Sequence, residues 1–474
     1  MAGESQQSSS LDRFLRLFTD VRAGEARTAL LLSLNVFLIL TAYYVLKPVR
    51  EALILGQGSA ELKSYLSAGQ VLLLAIVVPL YGRLASRVVR RRLINIVTAI
   101  FVACLVGFFA LAHVGVSLGV VFFLWVGIFN VMIVAQFWSF ANDVYTSAEG
   151  ERLFPIVAFG ASLGAVLGAE IAAVLIQPLG VYQLMLVGAG LLVLEVMITN
   201  HIDTQEHART ESHLPHAETT AAKPAGTTEF RVETGEHKIA EEAEETPKSR
   251  GAFALVFKSR YLLLMAFMLM LNNWVNTTGE FILGSVVHDA AQEAVAAGQS
   301  GGLSVEDYIG EFYSKFFFVV NIAGLLIQLF LVSRIIKHLG IRIAVLIMPF
   351  ISLGAYGVLA FYPILSAVRW AKTAENSTDY SLNNTVRNML FLPCTREQKY
   401  SGKQVIDSFF VRAGDVLSAM LVFVGTTYFA LHSSGFAKFV IVLIFVWLIL
   451  AFLVGREYKR LVAGSTAGAT SDGN

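Results

Sequence analysis

Runs of about 20 consecutive apolar residues recur along the whole chain, and they restrict its fold more than any other feature. A helix needs about 20 such residues to cross the roughly 30 Å hydrocarbon core of a bilayer. The chain is also 55% hydrophobic and only 15% charged, whereas a soluble domain averages about 25% charged residues. The sequence therefore predicts an all-α membrane protein embedded in a lipid bilayer.

Twelve membrane-spanning segments are predicted, in two sets of six, of which the tenth and eleventh are so polar that hydropathy alone does not identify them securely. The first six lie at 28–46, 65–82, 93–113, 117–141, 153–177 and 181–199. The second six lie at 253–280, 310–333, 341–361, 363–391, 404–430 and 436–455. Twelve transmembrane helices in two six-helix halves is a pattern typical of transporters built from repeated halves.

The stretch between the two sets is polar and acidic, a composition that buries too little apolar surface to fold. We therefore divide the chain into a cytoplasmic tail (1–26), an N-terminal half (27–200), a disordered cytoplasmic linker (201–250), a C-terminal half (251–460) and a second cytoplasmic tail (461–474). The linker is interpreted as a passive tether, with a regulatory or partner-binding role as the alternative.

The loops on one side of the predicted bundle are rich in Lys and Arg, which cytoplasmic loops retain. Both termini are therefore predicted to be cytoplasmic. The turn after the second segment reads GRLASRVVRRR (82–92), and the turn after the eighth reads SRIIKHLGIR (333–342). These turns resemble the loop signature of the major facilitator superfamily, although Ser86 replaces its acid and Val89 replaces a glycine. Basic loops could also follow from the orientation alone.

Charged residues interrupt the first segment, where Lys47, Arg50 and Glu51 surround Pro48. Their spacing of three and four residues places them on one helix face. Ionisable groups within a membrane cost about 2.5–3.5 kcal/mol each on insertion scales and are by default functional candidates. We expect this face to form a ligand site. The alternative is that Arg50 pairs with an acid and only locks two helices together.

Polar residues also follow one face of the tenth segment, and we expect that face to line a central path, because it cannot face lipid. They are Arg369, Lys372, Asn376, Asp379, Asn383 and Arg387, with Glu375 beside them. The eleventh segment adds Asp407, Arg412 and Asp415. Because Arg and Lys bind carboxylates and phosphates, these cations predict an anionic small-molecule substrate. Salt bridges that act only as gates between the halves are the alternative.

Motifs for other kinds of chemistry are missing from the sequence. It contains no phosphate-binding P-loop motif and no paired Cys and His spacing, so we predict neither an enzyme nor a cofactor, metal or nucleic-acid partner. The string GASLG (160–164) matches a hydrolase motif but lies inside the fifth segment. Gly160, Gly164 and Gly168 are interpreted as a surface for close helix packing.

Two long stretches carry a family resemblance. They are QFWSFANDVYTSAEGERLFPIVAFGASLGAVLG (136–168) and ENSTDYSLNNTVRNMLFLPCTREQKYSGKQVID (375–407). Together with KPVRE (47–51), they resemble the ATP/ADP translocase family, the nucleotide exchangers of intracellular bacteria and plastids and their relatives in free-living bacteria. The resemblance implies a secondary transporter of nucleotides, a monomer in the bacterial inner membrane.

The residues and the resemblance together give a predicted site. Substrate-binding residues are predicted to be Lys47, Arg50, Glu51, Tyr44, Trp138, Asn142, Arg369, Lys372, Asn376, Asp379 and Arg412. Gating or coupling residues are predicted to be Asp143, Glu375, Asp407 and Asp415. The chain departs from the exchangers at Asn276, where they have an acid, and at Asp415, where they have a lysine. The substrate therefore stays open.

Two alternatives to nucleotide exchange remain. The first is a proton-coupled symporter of another organic or phosphorylated anion, in which Glu51, Asp379 or Asp415 carries the proton. The second is a non-transporting membrane scaffold or sensor that binds partners through the linker. The insertion cost of the internal charges weighs against the second, because a scaffold gains nothing from them.

Overall fold

The computed structural model describes Arg22 and residues 25–85, 87–145, 147–213, 249–395 and 397–471, and all regular secondary structure in these ranges is helical. The prediction of an all-α chain is confirmed. Most of the predicted N-terminal tail, residues 214–248 of the predicted linker and Ser86 of the first basic turn lie outside the described residues.

Six long helices form the first set, because a chain in hydrocarbon must satisfy its backbone hydrogen bonds within each segment. They are α1 (Ala26–Gly56), α2 (Ala60–Ala85), α3 (Arg90–His113), α4 (Gly119–Val144), α5 (Ser147–Leu179) and α6 (Leu184–His213). Each is longer than its predicted apolar segment. Helix α6 continues from the predicted end at residue 199 to His213.

The second set is more interrupted. Its helices are α7 (Ser249–Lys258), α8 (Arg260–Ala296), α9 (Val305–Leu326), α10 (Val332–Phe361), α11 (Leu365–Thr378), α12 (Asn384–Met389), α13 (Lys403–Val405), α14 (Val411–Phe429) and α15 (Ser433–Ser471). Five-residue π-helical segments lie between several of them, at Ile327–Leu331, Asp379–Asn383, Gln398–Gly402 and Ile406–Phe410. Such segments often mark functional sites, since they change the helical register locally.

Nine stretches of the described helices are long and apolar enough to cross a membrane. One of them, Val305–Phe361, has 57 residues. It bends within α10 at Gly340, whose φ of 72° lies outside the range of a right-handed helix. Helices α8 and α11 are not among the nine, because charged and amide side chains interrupt their apolar residues.

Helix α1 lies at the centre of the bundle and packs against α4, α5 and α6 of the first set and α9 of the second. Its contact with α5 runs along Gly160, Gly164 and Gly168. A Cβ atom at Gly164 would lie 2.4 Å from the carbonyl oxygen of Phe37 in α1. Since no side chain fits there, the two helices pack backbone to backbone. The predicted packing role of these glycines is confirmed.

The two sets of helices are hydrogen-bonded where α5 ends and α9 begins. The Asp307 carboxylate accepts the backbone N–H of Val181 at 2.9 Å. The Glu311 carboxylate accepts the side-chain amide of Gln177 at 3.1 Å. These bonds hold the first set against the second at this end of the bundle.

Candidate functional site

A cavity of about 300 Å³ lies between the two sets of helices, at the lower end of the roughly 300–1,000 Å³ typical of small-molecule sites. Helices α1, α2 and α4 line one side, the first wall. Helices α8, α9 and α14 and the π segment Asp379–Asn383 line the other, the second wall. The charged residues that line the cavity are Lys47, Arg50, Glu51 and Lys63 on the first wall and Glu280, Arg412 and Asp415 on the second.

Glu51 makes two ion pairs, one with Arg50 of its own helix and one with Lys63 that joins α1 to α2. One carboxylate oxygen lies 2.6 Å from Lys63 Nζ, and the other accepts a hydrogen bond from Arg50 Nε at 3.1 Å. Glu51 is only 1% exposed, so these two cations replace the water that it loses on burial. The ion pair of the alternative interpretation is therefore present, but it accounts for only part of the charge on this wall.

Lys47 has no such partner. Among the described residues, no carboxylate lies within 4 Å of its Nζ, which is instead surrounded by aromatic rings. The Nζ lies 3.9 Å from the ring centre of Phe317, 5.1 Å from that of Tyr44 and 5.7 Å from that of Tyr380. The quadrupole of each ring attracts a cation, but only by about 0.5–2 kcal/mol. A buried ammonium that is only 7% exposed is thus left available to an anion in the cavity.

Behind the second wall, Lys372 lies between two carboxylates. Its Nζ is 2.7 Å from Glu375 Oε2 and 3.4 Å from Glu280 Oε1, and it donates to Asn276 Oδ1 at 3.0 Å. Asn376 donates its amide to Glu280 at 3.0 Å. The side chains of Lys372 and Glu375 are each 1% exposed, whereas that of Glu280 is 27% exposed. Glu280 is thus the carboxylate of this cluster that faces the cavity, beside Asn276.

Arg412 and Asp415 occupy the α14 side of the second wall. Arg412 Nη1 lies 3.3 Å from Asp415 Oδ2, and the side chain of Arg412 is 46% exposed. Asp415 also accepts hydrogen bonds from the Asn273 amide and the Thr277 hydroxyl, both at 2.8 Å. Both of these bonds are accepted by Oδ1, so the carboxylate keeps two donors when Arg412 turns toward a ligand.

The two walls carry opposite net charge. The first wall has three cations, Lys47, Arg50 and Lys63, against the single carboxylate of Glu51. The second wall, with the cluster behind it, has two cations against three carboxylates. Those cations are Lys372 and Arg412, and the carboxylates are Glu280, Glu375 and Asp415. An anion that enters the cavity is therefore drawn to the first wall.

Five of the predicted site residues line this cavity, namely Lys47, Arg50, Glu51, Arg412 and Asp415. Four more lie directly behind the lining, namely Tyr44, Lys372, Glu375 and Asn376. Lys372 is held by its two carboxylates and points away from a ligand on the first wall. The predicted substrate and coupling roles of these residues remain predictions.

The structure places the other predicted residues elsewhere. Arg369 lies in a separate cleft with Lys315 and Trp370. Asp379 accepts the Asn383 amide at 2.6 Å, and Asp407 pairs with Arg387. Trp138 packs edge-on against Phe137 and Phe154, Asn142 is exposed, and Asp143 lies 3.3 Å from Arg90.

Several cavity residues are absent from the predicted site. Lys63 lies near the start of α2, before the predicted apolar segment, and therefore looked like a loop residue. Glu280 ends the predicted seventh segment, and the rule that an intramembrane acid is a functional candidate could have found it. The amides of Gln70 and Asn130 also line the cavity, but isolated amides give no signal in a sequence.

Two family models match the chain. The model of the Major Facilitator Superfamily matches residues 29–374, and the model of the TLC ATP/ADP transporter matches residues 371–458. The resemblance to the ATP/ADP translocase family that the two stretches carry is therefore confirmed. Among curated proteins, ADP,ATP carrier protein 2 of Chlamydia pneumoniae is 20% identical over 380 residues, which cover 71% of this chain and 65% of that protein. The chain thus matches less than two thirds of that relative's length.

Solved structures agree with the superfamily in fold. A mutant of the nucleoside transporter NupG has a TM-score of 0.59 at 12% identity, covering 91% of this chain and 99% of that one. A POT family transporter in complex with a thioalcohol-conjugated peptide has a TM-score of 0.58 at 12% identity, covering 92% and 96%. Since the superfamily model spans most of the sequence and these folds agree with it, the chain belongs to the major facilitator superfamily of membrane transporters and ends in a TLC ATP/ADP transporter region.

Proposed function

We propose that this protein is a secondary transporter of an organic anion, with nucleotides as the first candidate substrates and ATP/ADP-type exchange as the first candidate mode. Two six-helix halves would rock about the central cavity to give alternating access. The observation that carries the proposal is the buried ammonium of Lys47, which faces the cavity and has no carboxylate partner among the residues that the structure describes. A buried cation in this state is costly unless a ligand anion neutralises it.

Twelve membrane spans are compatible with the described helices. The 57-residue stretch Val305–Phe361 is about twice the length of a single crossing and counts as two spans. Helices α8 and α11, which hydropathy misses, add two more. In a bacterial inner membrane, the predicted orientation would place both termini in the cytoplasm and the Asp307 end of the bundle outside.

A nucleotide suits the chemistry of the cavity better than a simple inorganic anion does. Phosphate oxygens would meet Lys47 and Arg50 on the first wall and Arg412 opposite. Tyr43, Phe123 and Tyr380 also line the cavity, and stacking of a base on such a ring contributes about 1–3 kcal/mol. The TLC ATP/ADP transporter match and the Chlamydia pneumoniae carrier support the same substrate class.

Proton-coupled symport of an organic anion is the second candidate. The observation that favours it is the surplus carboxylate on the second wall, which an exchanger of anions does not need. A proton bound there would neutralise the surplus charge.

Flux measurements separate the candidates. Purified protein in proteoliposomes loaded with unlabelled ADP should take up labelled ADP and saturate with concentration, whereas liposomes without protein should not. Exchange requires ADP inside, while symport proceeds into empty vesicles when the outside is more acidic. The same two experiments are repeated with ATP, AMP and sugar phosphates. If neither the loaded vesicles nor the empty vesicles take up any of these compounds, the proposed transport of phosphorylated anions is overturned.

Replacing Arg412 with alanine should weaken ADP uptake but leave the fold almost unchanged. The Asn273 amide and the Thr277 hydroxyl still satisfy Asp415 in this variant, so the free energy of unfolding should change by no more than about 1 kcal/mol, as for an exposed ion pair. Denaturant unfolding in detergent measures this change. A loss of several kcal/mol that Asp415→Asn restores would instead assign Arg412 a structural role.

A further inference from the structure

The cluster around Lys372 contains one carboxylate more than its cation can neutralise. The Lys372 ammonium has three N–H donors, and three oxygens lie around it, from Glu375, Asn276 and Glu280. All its donors are therefore engaged. Two carboxylates that share one buried cation repel each other, and the cheapest way to remove the extra charge is to protonate one of them.

The two carboxylates differ in how well they are held as anions. Glu375 is almost fully buried, lies 2.7 Å from Lys372 Nζ and accepts the Ser352 hydroxyl at 3.0 Å. Glu280 lies 3.4 Å from the same Nζ and accepts the Asn376 amide. Glu280 is also the member that lines the cavity. Glu280 therefore forms the weaker ion pair with Lys372, and a proton can reach it from water in the cavity.

The surroundings of Glu280 link its charge to the anion site. The charged groups that line the same cavity are Lys47, Arg50, Glu51, Lys63, Arg412 and Asp415. Tyr313, Tyr356 and Tyr380 are the titratable hydroxyls near it on α9, α10 and the π segment. With the cavity empty, the unpaired Lys47 helps to balance an ionised Glu280. An anion bound to Lys47 removes that balance, so Glu280 then binds a proton more tightly.

We propose that Glu280 is the proton-binding residue of this transporter and that anion and proton bind to the cavity cooperatively. The inference rests on the proposed anion transport. Protonation converts the Glu280 carboxylate to a neutral carboxylic acid, and the proton comes from water in the cavity. A metal cation such as Na⁺ fits this position poorly, because the Lys372 ammonium already occupies the space between the two carboxylates and repels it.

Cooperative binding has a defined pH dependence, which ADP affinity of the purified protein between about pH 5 and pH 8 would measure. Anion affinity should rise as the pH falls, by up to about tenfold per pH unit, and level off once Glu280 is protonated without the anion. Glu280→Gln, which mimics the protonated acid, should bind ADP at high pH as tightly as the wild type does at low pH. The phosphate itself titrates near pH 6, so the difference between the two proteins is the readout.

Two further variants sharpen the test. In Glu375→Gln, Lys372 pairs with Glu280 alone, so the pH dependence should persist but shift to lower pH. Glu293→Gln is the matched control, because Glu293 is an exposed residue of the same helix, and it should behave as wild type. A Glu280→Gln protein that keeps the wild-type pH dependence would overturn the proposal. If the ADP affinity of the wild type rises with Na⁺ concentration and that of Glu280→Gln does not, the site binds sodium instead of a proton.

A measurement without nucleotide separates failure of this inference from failure of the proposed function. The infrared difference spectrum of the empty protein between low and high pH should contain the carbonyl band of a protonated carboxylic acid, and Glu280→Gln should lose that band. If the band is present but ADP does not bind, nucleotide transport is wrong and the proton site stands. If ADP binds but the band is the same in both proteins, the proton site is wrong.

Discussion

Replacing Lys47 with glutamine is expected to abolish ADP binding and, at the same time, to make the empty protein more resistant to heat. Removal of one partner from a buried charge pair costs about 2–5 kcal/mol, so the affinity should fall at least about 30-fold. Because no carboxylate of the described chain lies within ion-pairing distance of Lys47, its replacement also removes a buried charge without breaking an ion pair. Binding by isothermal titration and melting temperature without ligand measure the two effects.

The opposite signs of these effects make the Lys47 experiment decisive. Lys315→Gln is a suitable control, since Lys315 is half-exposed and pairs with Glu311 at the edge of the bundle. It should change neither binding nor melting temperature appreciably. A Lys47→Gln protein that melts well below wild type would show that the aromatic rings around Lys47 need the ammonium for packing, and it would contradict the interpretation of Lys47 as a buried charge that destabilises the empty protein.

Replacing Glu51 with glutamine is expected to produce the largest loss of stability of any single charge removal at the cavity. Lys63 and Arg50 both pair with this buried carboxylate, so its loss leaves two cations facing each other out of water. Breaking a buried ion pair in this way costs about 3–5 kcal/mol. Equilibrium unfolding in detergent and the melting temperature measure the loss.

A second change separates charge from packing in this experiment. Adding Lys63→Met to Glu51→Gln removes one of the two cations that have lost their carboxylate. Because Met also fills a volume similar to that of Lys, the double variant should regain part of the stability. The pair Glu457 and Arg460 serves as the control. Arg460 is exposed and Glu457 also lies near Arg260, so Arg460→Gln should cost no more than about 1 kcal/mol. If the double variant is no more stable than Glu51→Gln, the carboxylate contributes by something other than neutralising Lys63.

Much of the fold could be predicted from the sequence, because the physics of a bilayer leaves an apolar chain few choices. The apolar runs predicted the helices, and the glycine stripe on α5 predicted its close contact with α1. The same reasoning also predicted charges in α1 as part of a site. That prediction needed only the high cost of placing charge in hydrocarbon, because charged residues within an apolar segment are visible in a single sequence.

The polar stripe of the tenth segment shows where periodicity stops being reliable. A constant spacing of three and four residues placed Arg369, Asp379 and Arg387 on one face. The π segment Asp379–Asn383 changes the register within that helix, so that Tyr380 lines the cavity while Arg387 lies beside Asp407. No composition rule predicts a π segment, because it depends on packing around the helix. The partners of Lys63 and Glu280 likewise depend on tertiary contacts.

The opposite charges of the two cavity walls also affect the protein when nothing is bound. A cavity lined by cations alone would be forced apart by their repulsion, and closing it without substrate would be costly. Here the surplus cations of the first wall face the surplus carboxylates of the second, so the empty walls attract. The empty cavity therefore needs no bound anion to keep its two walls together. An anion that binds the first wall competes with the carboxylates of the second wall for the same cations.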